Sequence, residues 1–292
     1  MLQRELIRKV KRLEMVTRRK ANNRLAGQYH SVFKGRGMDF DEVQPYAPGD
    51  DVRFIDWNVS ARTGDLFIKK FVEERELTVL LLVDASASVD FGTTAQTRRD
   101  IIAELTAVLA FSAIRNNDRV GLLVFTDRIE RYIPPKKGRR HVLRLIRDLL
   151  GFRPEGTGTD INGALEYATR VTSRRAVVFL LSDFIGADYE RGIKLASRRH
   201  DVVPLVVEDP IERELPEARA LVPLRDRESG ALTWVDLASR RHREIFRERA
   251  ASARARREQL FRRLKLDHVD IDTHEPYIDR LVAFFRRRAS RY

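Results

Sequence analysis

Asp84-Ala85-Ser86-Ala87-Ser88 places one carboxylate and two hydroxyls at alternate positions, directly after the apolar run of residues 77–83. On a loop leaving a buried strand, these side chains can point to one spot past the strand's C-terminal end. Carboxylate and hydroxyl oxygens are the donors a hard cation such as Mg²⁺ takes, with several waters kept. Crevices beyond the C-terminal ends of parallel strands are also where open α/β sheets bind ligands. An Asx or Ser turn capping a following helix would use the same residues, so the pattern needs support from elsewhere in the chain.

Two further segments supply it. Gly158-Thr159-Asp160-Ile161-Asn162-Gly163-Ala164-Leu165 sets a hydroxyl in a loop that opens a helix. Residues 176–182 then read as a second buried strand, ending in Asp183-Phe184. With these three parts in order, the chain resembles a von Willebrand factor A domain with its metal-ion-dependent adhesion site. The resemblance maps Asp84, Ser86 and Ser88 onto the first metal loop, Thr159 onto the second and Asp183 onto the third. Thr157 is the alternative for the second loop; the Gly-Ala-Leu that follows at the family's spacing favours Thr159.

A second resemblance lies upstream. Residues 37–46, Pro48-Gly49-Asp50-Asp51-Val52-Arg53, Ile55-Asp56-Trp57, Ala61-Arg62-Thr63-Gly64 and Glu73-Glu74-Arg75-Glu76 resemble the signature of the "domain of unknown function 58" family. Glu275-Pro276-Tyr277, Leu281 and residues 284–288 are similar to that family's ending. The resemblance implies a von Willebrand A-like core, a divalent cation (Mg²⁺, or Mn²⁺ or Ca²⁺) and a MoxR-type AAA+ ATPase as partner. It brings no settled activity with it.

The chemistry expected of such a site is binding. Two Asp side chains supply charge against a dication, and Ser86, Ser88 and Thr159 supply neutral oxygens. An acidic side chain of a protein partner can then complete the coordination shell, which is adhesion without bond breaking. A metal-dependent hydrolase is the alternative, but it needs a base near the metal. None of the six histidines (His30, His141, His200, His242, His268, His274) is near the three loops in sequence. There is no Gly-x-Ser-x-Gly elbow and no Gly-x-x-x-x-Gly-Lys-Ser/Thr loop, so ATP hydrolysis by this chain is not expected. The acidic group Asp39, Asp41, Glu42, Asp50, Asp51 and Asp56 does not fit an EF-hand and predicts turn caps and ion pairs with Arg53 and Arg62.

The elements that would position the site follow from periodicity. Strands are expected at 77–83, 120–125, 176–182, 202–207 and 268–272, with helices at about 97–116, 138–150, 161–172, 187–199, 240–265 and 276–288. That alternation predicts a mainly parallel sheet between helices. A strand near 129–133 is expected to pair antiparallel at the sheet edge, and Pro204 suggests an edge or bulge. A β-hairpin insertion is expected around 210–237, within a domain running from 77 to 292. Residues 1–76 are expected to form a basic helix (Leu2, Leu6, Val10, Leu13, Thr17) and a β segment, with strands at 52–54 and 66–68 and Trp57 as a core or domain-junction anchor.

Composition limits the partners. The chain has 292 residues, a net charge of +13 and no cysteine. Disulfides, thiolate nucleophiles and Cys-ligated zinc are thereby excluded. Its apolar runs are strand-sized, too short for a bilayer, and no signal-peptide core stands at the start. A soluble, cytoplasmic, short-form member of the family is the expectation. The basic excess crowds the first twenty residues and 240–263, on helices whose other face is apolar, and this predicts solvated basic faces. A basic scaffold on nucleic acid or a membrane surface is a further alternative, with nucleic acid disfavoured because no helix-turn-helix, zinc-finger or RNA-binding strand pattern is present.

Overall fold

A computed structural model describes every residue except 1–9, 12–13, 16–28, 30–31, 33–38, 73–75, 94–95, 186–187, 226–229 and 292; for 39–42, 70–72 and 90 it describes the backbone only. Most of the expected N-terminal helix and its basic residues therefore lie outside the described residues. Two units are present: Met1–Val32 together with Thr78–Tyr292, and Phe33–Leu77.

The smaller unit pairs β1 (Asp39–Pro45) antiparallel with β2 (Phe67–Val72). Between them lie a 3₁₀ turn, Val52–Phe54, and helix α1 (Trp57–Thr63). The strand expected at 52–54 is thus a turn, because Asp51 accepts the Arg53 N–H at 3.0 Å and folds the chain back. Asp56 caps α1 by accepting from Asn58 and Val59. Trp57, expected as a core or domain-junction anchor, is 67% exposed at the first turn of α1 and is not a core residue.

The larger unit is built on a six-stranded sheet of order β10-β7-β6-β3-β4-β5. Its strands are β3 (Thr78–Asp84), β4 (Arg119–Phe125), β5 (Ile129–Lys136), β6 (Val177–Ser182), β7 (Asp201–Glu208) and β10 (Val269–Asp272). All pairings are parallel except that of β5, which runs antiparallel to β4 at the edge. Pro204 is neither on an edge nor at a bulge: it pairs with Leu180 in an unbroken register with β6. The β10 ladder begins one residue later, at Leu205, so that side does not call on the donor proline lacks.

Helices α2 (Arg98–Arg115), α3 (Arg139–Leu150), α4 (Ile161–Val171), α5 (Glu190–Arg199), α6 (Arg240–Arg263) and α7 (Tyr277–Ala289) complete the α/β arrangement. Leu80 and Leu82 of β3, Val178 and Leu180 of β6, and Val202 and Val206 of β7 form one core with α4, α5 and the end of α6. The alternate residues Val79, Leu81, Val83, Phe179 and Val203 are buried too, with α2 packed on β3, β4 and β7. Covering on both faces is why these strands read as continuous apolar runs. The expected hairpin is present as β8 (Leu221–Arg225) and β9 (Leu232–Asp236).

Candidate metal centre

β3 lies between β4 and β6, so its C-terminal residue Asp84 emerges among three loops. The Asp84 carboxylate is buried. Its Oδ1 accepts the Ser86 N–H at 2.9 Å, and its Oδ2 accepts the Ser182 hydroxyl at 2.6 Å. The Ser86 and Ser88 hydroxyls are 3.0 Å apart. The first loop is held to its neighbour strand by Ala85 N–H donating to Phe125 O (2.9 Å).

The second loop reaches the first through its backbone: Ala87 N–H donates to Thr157 O at 3.0 Å. Glu130 holds this loop in place. One of its oxygens accepts from the Thr126 hydroxyl (2.9 Å) and from the N–H groups of Glu155 (3.0 Å) and Gly156 (2.8 Å). These bonds outweigh burial and keep the Glu130 pKa low. Gly156 must be glycine here, since a Cβ would lie 2.1 Å from Asp127 Oδ1 and 2.3 Å from Thr126 Oγ1. Thr159 is half-buried two residues past the bonded Thr157 carbonyl, and Asp160 then caps α4 by accepting from Gly163 (2.9 Å).

The third loop carries Asp183, which is fully buried. Its Oδ1 accepts from Ile185 N–H at 3.0 Å, and its Oδ2 accepts from Arg98 Nη1 at 2.5 Å. Phe184 has φ of 58°, a left-handed conformation uncommon for a bulky side chain. Its N–H donates to Ser182 Oγ (3.1 Å), and its ring packs edge-on against Tyr189 and Phe261.

Arg98 is the residue that sequence reasoning missed. It is fully buried at the first turn of α2. Nη1 also donates to Ser88 O at 3.2 Å, and Nη2 pairs with Glu212. Nothing in Thr97-Arg98-Arg99-Asp100 separates Arg98 from a solvated helix-start arginine. Ser182, directly before Asp183 at the strand end, did carry a visible signal. Nearby, fully buried Asp209 accepts from both the N–H and the hydroxyl of Thr93 (2.9 and 2.8 Å).

Carboxylates crowd together here. Asp183 and Glu212 share the Arg98 guanidinium and Asp209 also acts on it, while Asp84 lies beside the Asp183 charge, held by hydrogen bonds from Ser86 and Ser182. Burial, and then the Asp183 charge, push the Asp84 pKa up to about 7, against the hydrogen bonds from Ser182 and Ser86. Burial also raises Glu212, opposed by Arg98. Burial works to lower Arg98, but Asp183 and Glu212 outweigh it and hold it above its ordinary value. Protonation of Asp84 relieves that crowding, and a bound cation would relieve it equally. Among the described residues no group of three His, Cys, Asp or Glu could hold a metal by itself. The hydroxyls would have to complete the set, and that donor chemistry suits Mg²⁺.

His141 and His200 engage elsewhere: His141 Nε2 meets Val120 O at 2.8 Å, and His200 Nδ1 accepts from Ala176 N–H at 3.3 Å. His274 joins the Thr93–Asp209 contact, its Nε2 2.9 Å from Thr93 Oγ1 and 3.9 Å from Asp209 Oδ1. His30 lies outside the described residues.

The family described as "Protein of unknown function DUF58" matches residues 42–256. The chain belongs to that family. An uncharacterized protein of Mycobacterium tuberculosis is 31% identical over 281 residues, covering 94% of this chain and 87% of its own length. The fold is von Willebrand A-like. The conserved hypothetical protein BatB from Bacteroides thetaiotaomicron is 19% identical, covering 73% of this chain and 99% of its own, with a TM-score of 0.49. An aerotolerance-related membrane protein from Bacteroides fragilis is 17% identical, covering 74% and 100%, with a TM-score of 0.48. Proximal thread matrix protein 1 of the mussel byssus, with a zinc-occupied MIDAS motif, is 15% identical, covering 46% and 38%, with a TM-score of 0.37.

The cytoplasmic placement expected from the sequence is corrected by these likenesses. A similar solved structure is that of a membrane protein, so a chain of this architecture is not placed in the cytoplasm by lacking cysteine and long apolar runs. Among the described residues, no helix is long and apolar enough to cross a membrane.

Proposed function

We propose that this DUF58 chain is a non-enzymatic, metal-dependent protein-binding module. Asp84, Ser86, Ser88, Thr159 and Asp183 would hold Mg²⁺, with Mn²⁺ or Ca²⁺ able to replace it, and an acidic side chain of a protein partner would bind at the ion. The single observation that carries the reading is the pair of buried carboxylates, Asp84 and Asp183, at the ends of β3 and β6, with the Ser86 and Ser88 hydroxyls on the adjoining loop. The bound ion would supply an electrophilic point for a carboxylate. The chain's residues supply the rest: Glu130 and Gly156 fix the second loop, Ser182 orients Asp84, and Arg98 ties Asp183 to the first loop.

The finer assignment is an adaptor or co-chaperone of a MoxR-type AAA+ ATPase. It rests on the family resemblance, and an acidic residue on the ATPase or on its client would be the ligand. The test is capture from a cell extract by the full chain in Mg²⁺ and in EDTA, read by mass spectrometry, with Asp84→Asn as control. Mg²⁺-dependent recovery of an AAA+ ATPase supports the assignment. Binding that ignores both EDTA and Asp84→Asn refutes the metal bridge.

A further inference from the structure

Helix α6 has 24 residues, yet its buried residues are Arg257, Leu260 and Phe261, all in the last two turns. Residues 240–256 therefore run along the surface for about 25 Å, at 1.5 Å per residue. Seven arginines stand there against two glutamates. Arg240 and Arg254 each pair with a glutamate four residues on, and Arg243 pairs with Glu217. Arg241, Arg247, Arg249 and Arg256 are exposed and form no ion pair among the described residues.

The hairpin that leads into this helix is apolar on its outer face. Residues at alternate positions of a strand share a face, and so do directly paired residues. Leu221, Pro223, Leu232 and Trp234 thereby fall together, with Pro223 opposite Trp234 and Arg225 opposite Leu232. Leu221 is 62% exposed, Trp234 58% and Leu232 54%. Val222, Leu224 and Val235, on the other face, are half-buried. The outer face of such a sheet is ordinarily its polar one; here it carries two leucines and a tryptophan. Hairpin and helix are fixed to each other at one corner. Arg243 Nη1 donates to Leu237 O at 2.5 Å, and Ser239 caps α6 by accepting the His242 N–H at 3.3 Å.

We propose that the β8–β9 hairpin and residues 240–256 of α6 form a docking surface for an anionic membrane. Leu221, Leu232 and Trp234 enter the boundary between headgroups and acyl chains, where an indole finds both an apolar bed and an acceptor for its N–H. The unpaired guanidiniums meet lipid phosphates. The leucines separate this occupant from nucleic acid, which offers bases for a tryptophan to stack on but nothing for an aliphatic side chain. Charge strung along about 25 Å of helix suits a continuous layer of mobile headgroups better than the few fixed carboxylates of one protein. The chain lies on the bilayer in this arrangement and does not enter its core. No residue of the metal centre takes part, so this inference stands apart from the metal reading.

The test is flotation of the full chain, in EDTA, with vesicles of phosphatidylcholine alone and with an equimolar mixture of phosphatidylcholine and phosphatidylglycerol. Binding to the mixed vesicles is expected, weakening as salt rises, with little binding to phosphatidylcholine. In a Trp57→Phe background Trp234 is the one remaining tryptophan, and its emission should shift to the blue on binding. Trp234→Ala and Leu232→Ser should each weaken binding about tenfold by removing apolar surface from the contact; circular dichroism checks that each is folded, and either one decides if the other is not. Arg247→Glu with Arg249→Glu should weaken it by more, since each cation near an anionic surface is worth about fivefold. Equal binding to both kinds of vesicle, binding to neither, or an unshifted Trp234 emission overturns the proposal. DNA binding without vesicle binding overturns it in favour of nucleic acid. A dimer in sedimentation equilibrium that Trp234→Ala abolishes, again without vesicle binding, overturns it in favour of a second copy.

Discussion

Replacing Asp84 by Asn should stabilise the metal-free protein above neutral pH, although it removes two hydrogen-bonded oxygens' worth of charge from a buried site. The native pKa is raised from 3.8 to about 7, chiefly by burial and next by Asp183. For an acid raised in this way, the native state binds more protons than the unfolded chain between those two values. Its contribution to stability is therefore intact below pH 3.8 and is lost as pH climbs through 7. At about 1.36 kcal/mol per pH unit, the ionised group costs the metal-free protein roughly 4 kcal/mol at pH 8. Asn can keep one acceptor toward Ser86 N–H or Ser182 Oγ but turns an NH₂ toward the other, a loss of about 1–3 kcal/mol. A net gain of about 2 kcal/mol remains. Urea unfolding of both proteins in EDTA at pH 5 and pH 8 measures it, and the difference between variant and wild type isolates this group. Excess Mg²⁺ should reverse the order, since a ligand at a hundred times its Kd adds about 2.7 kcal/mol to the wild type and nothing to the variant. A variant less stable than wild type in EDTA at pH 8, or one that keeps the Mg²⁺ increment, would refute the reasoning.

Gly156→Ala forces a methyl against Thr126 and Asp127; overpacking of this kind costs about 1–3 kcal/mol and should weaken Mg²⁺ binding by shifting the second loop, both checked by titration calorimetry and melting. His200 is buried, and burial, with Arg199 and Arg175 adding to it, lowers its pKa; the unfolded chain then takes up the proton first, so stability should fall as pH drops below 6.5, and His200→Gln should flatten that limb of the pH–stability curve. Charge reversal on the exposed helix surface, Arg247→Glu with Arg254→Glu, should leave EDTA-sensitive partner binding nearly unchanged at physiological salt; a collapse of binding that grows as salt is lowered would instead make α6 the binding surface.

Where one signal decides an element, the sequence reading holds. The apolar runs at β3, β4, β6 and β7 could be placed within a residue or so because strands covered on both faces have no polar side to confuse the pattern. The helix expected from 161 is present, and so is the edge position of β5, expected to pair antiparallel with β4. The failures are local. Val52-Arg53-Phe54 has strand composition, yet Asp51 and Asp56 both cap turns there, and short side-chain bonds to the backbone outcompete propensity in so small a unit. Pro204 was misread because the rule against central proline asks where each N–H points, which periodicity does not reveal. The placement of Asp84, Ser86 and Ser88 on the loop after β3 and of Asp183 on the loop after β6 was legible from the strand ends. Arg98 and Glu212 were not, for their partners lie far along the chain and each looks like an ordinary surface charge in its own segment.

That distance along the chain has a kinetic meaning. Asp84 and Ser182 are 98 residues apart, Arg98 and Asp183 are 85 apart, and Thr93 and Asp209 are 116 apart. Closing such loops is entropically costly and is deferred until local structure can reward it. The carboxylate pair cannot exist before β3 and β6 have paired, nor the Arg98–Glu212 link before β7 has joined them. A cation bound at the proposed site would meet its donors only on an almost finished molecule. It would arrive too late to guide the chain, and its hold would be felt afterwards, as a slower rate of coming apart.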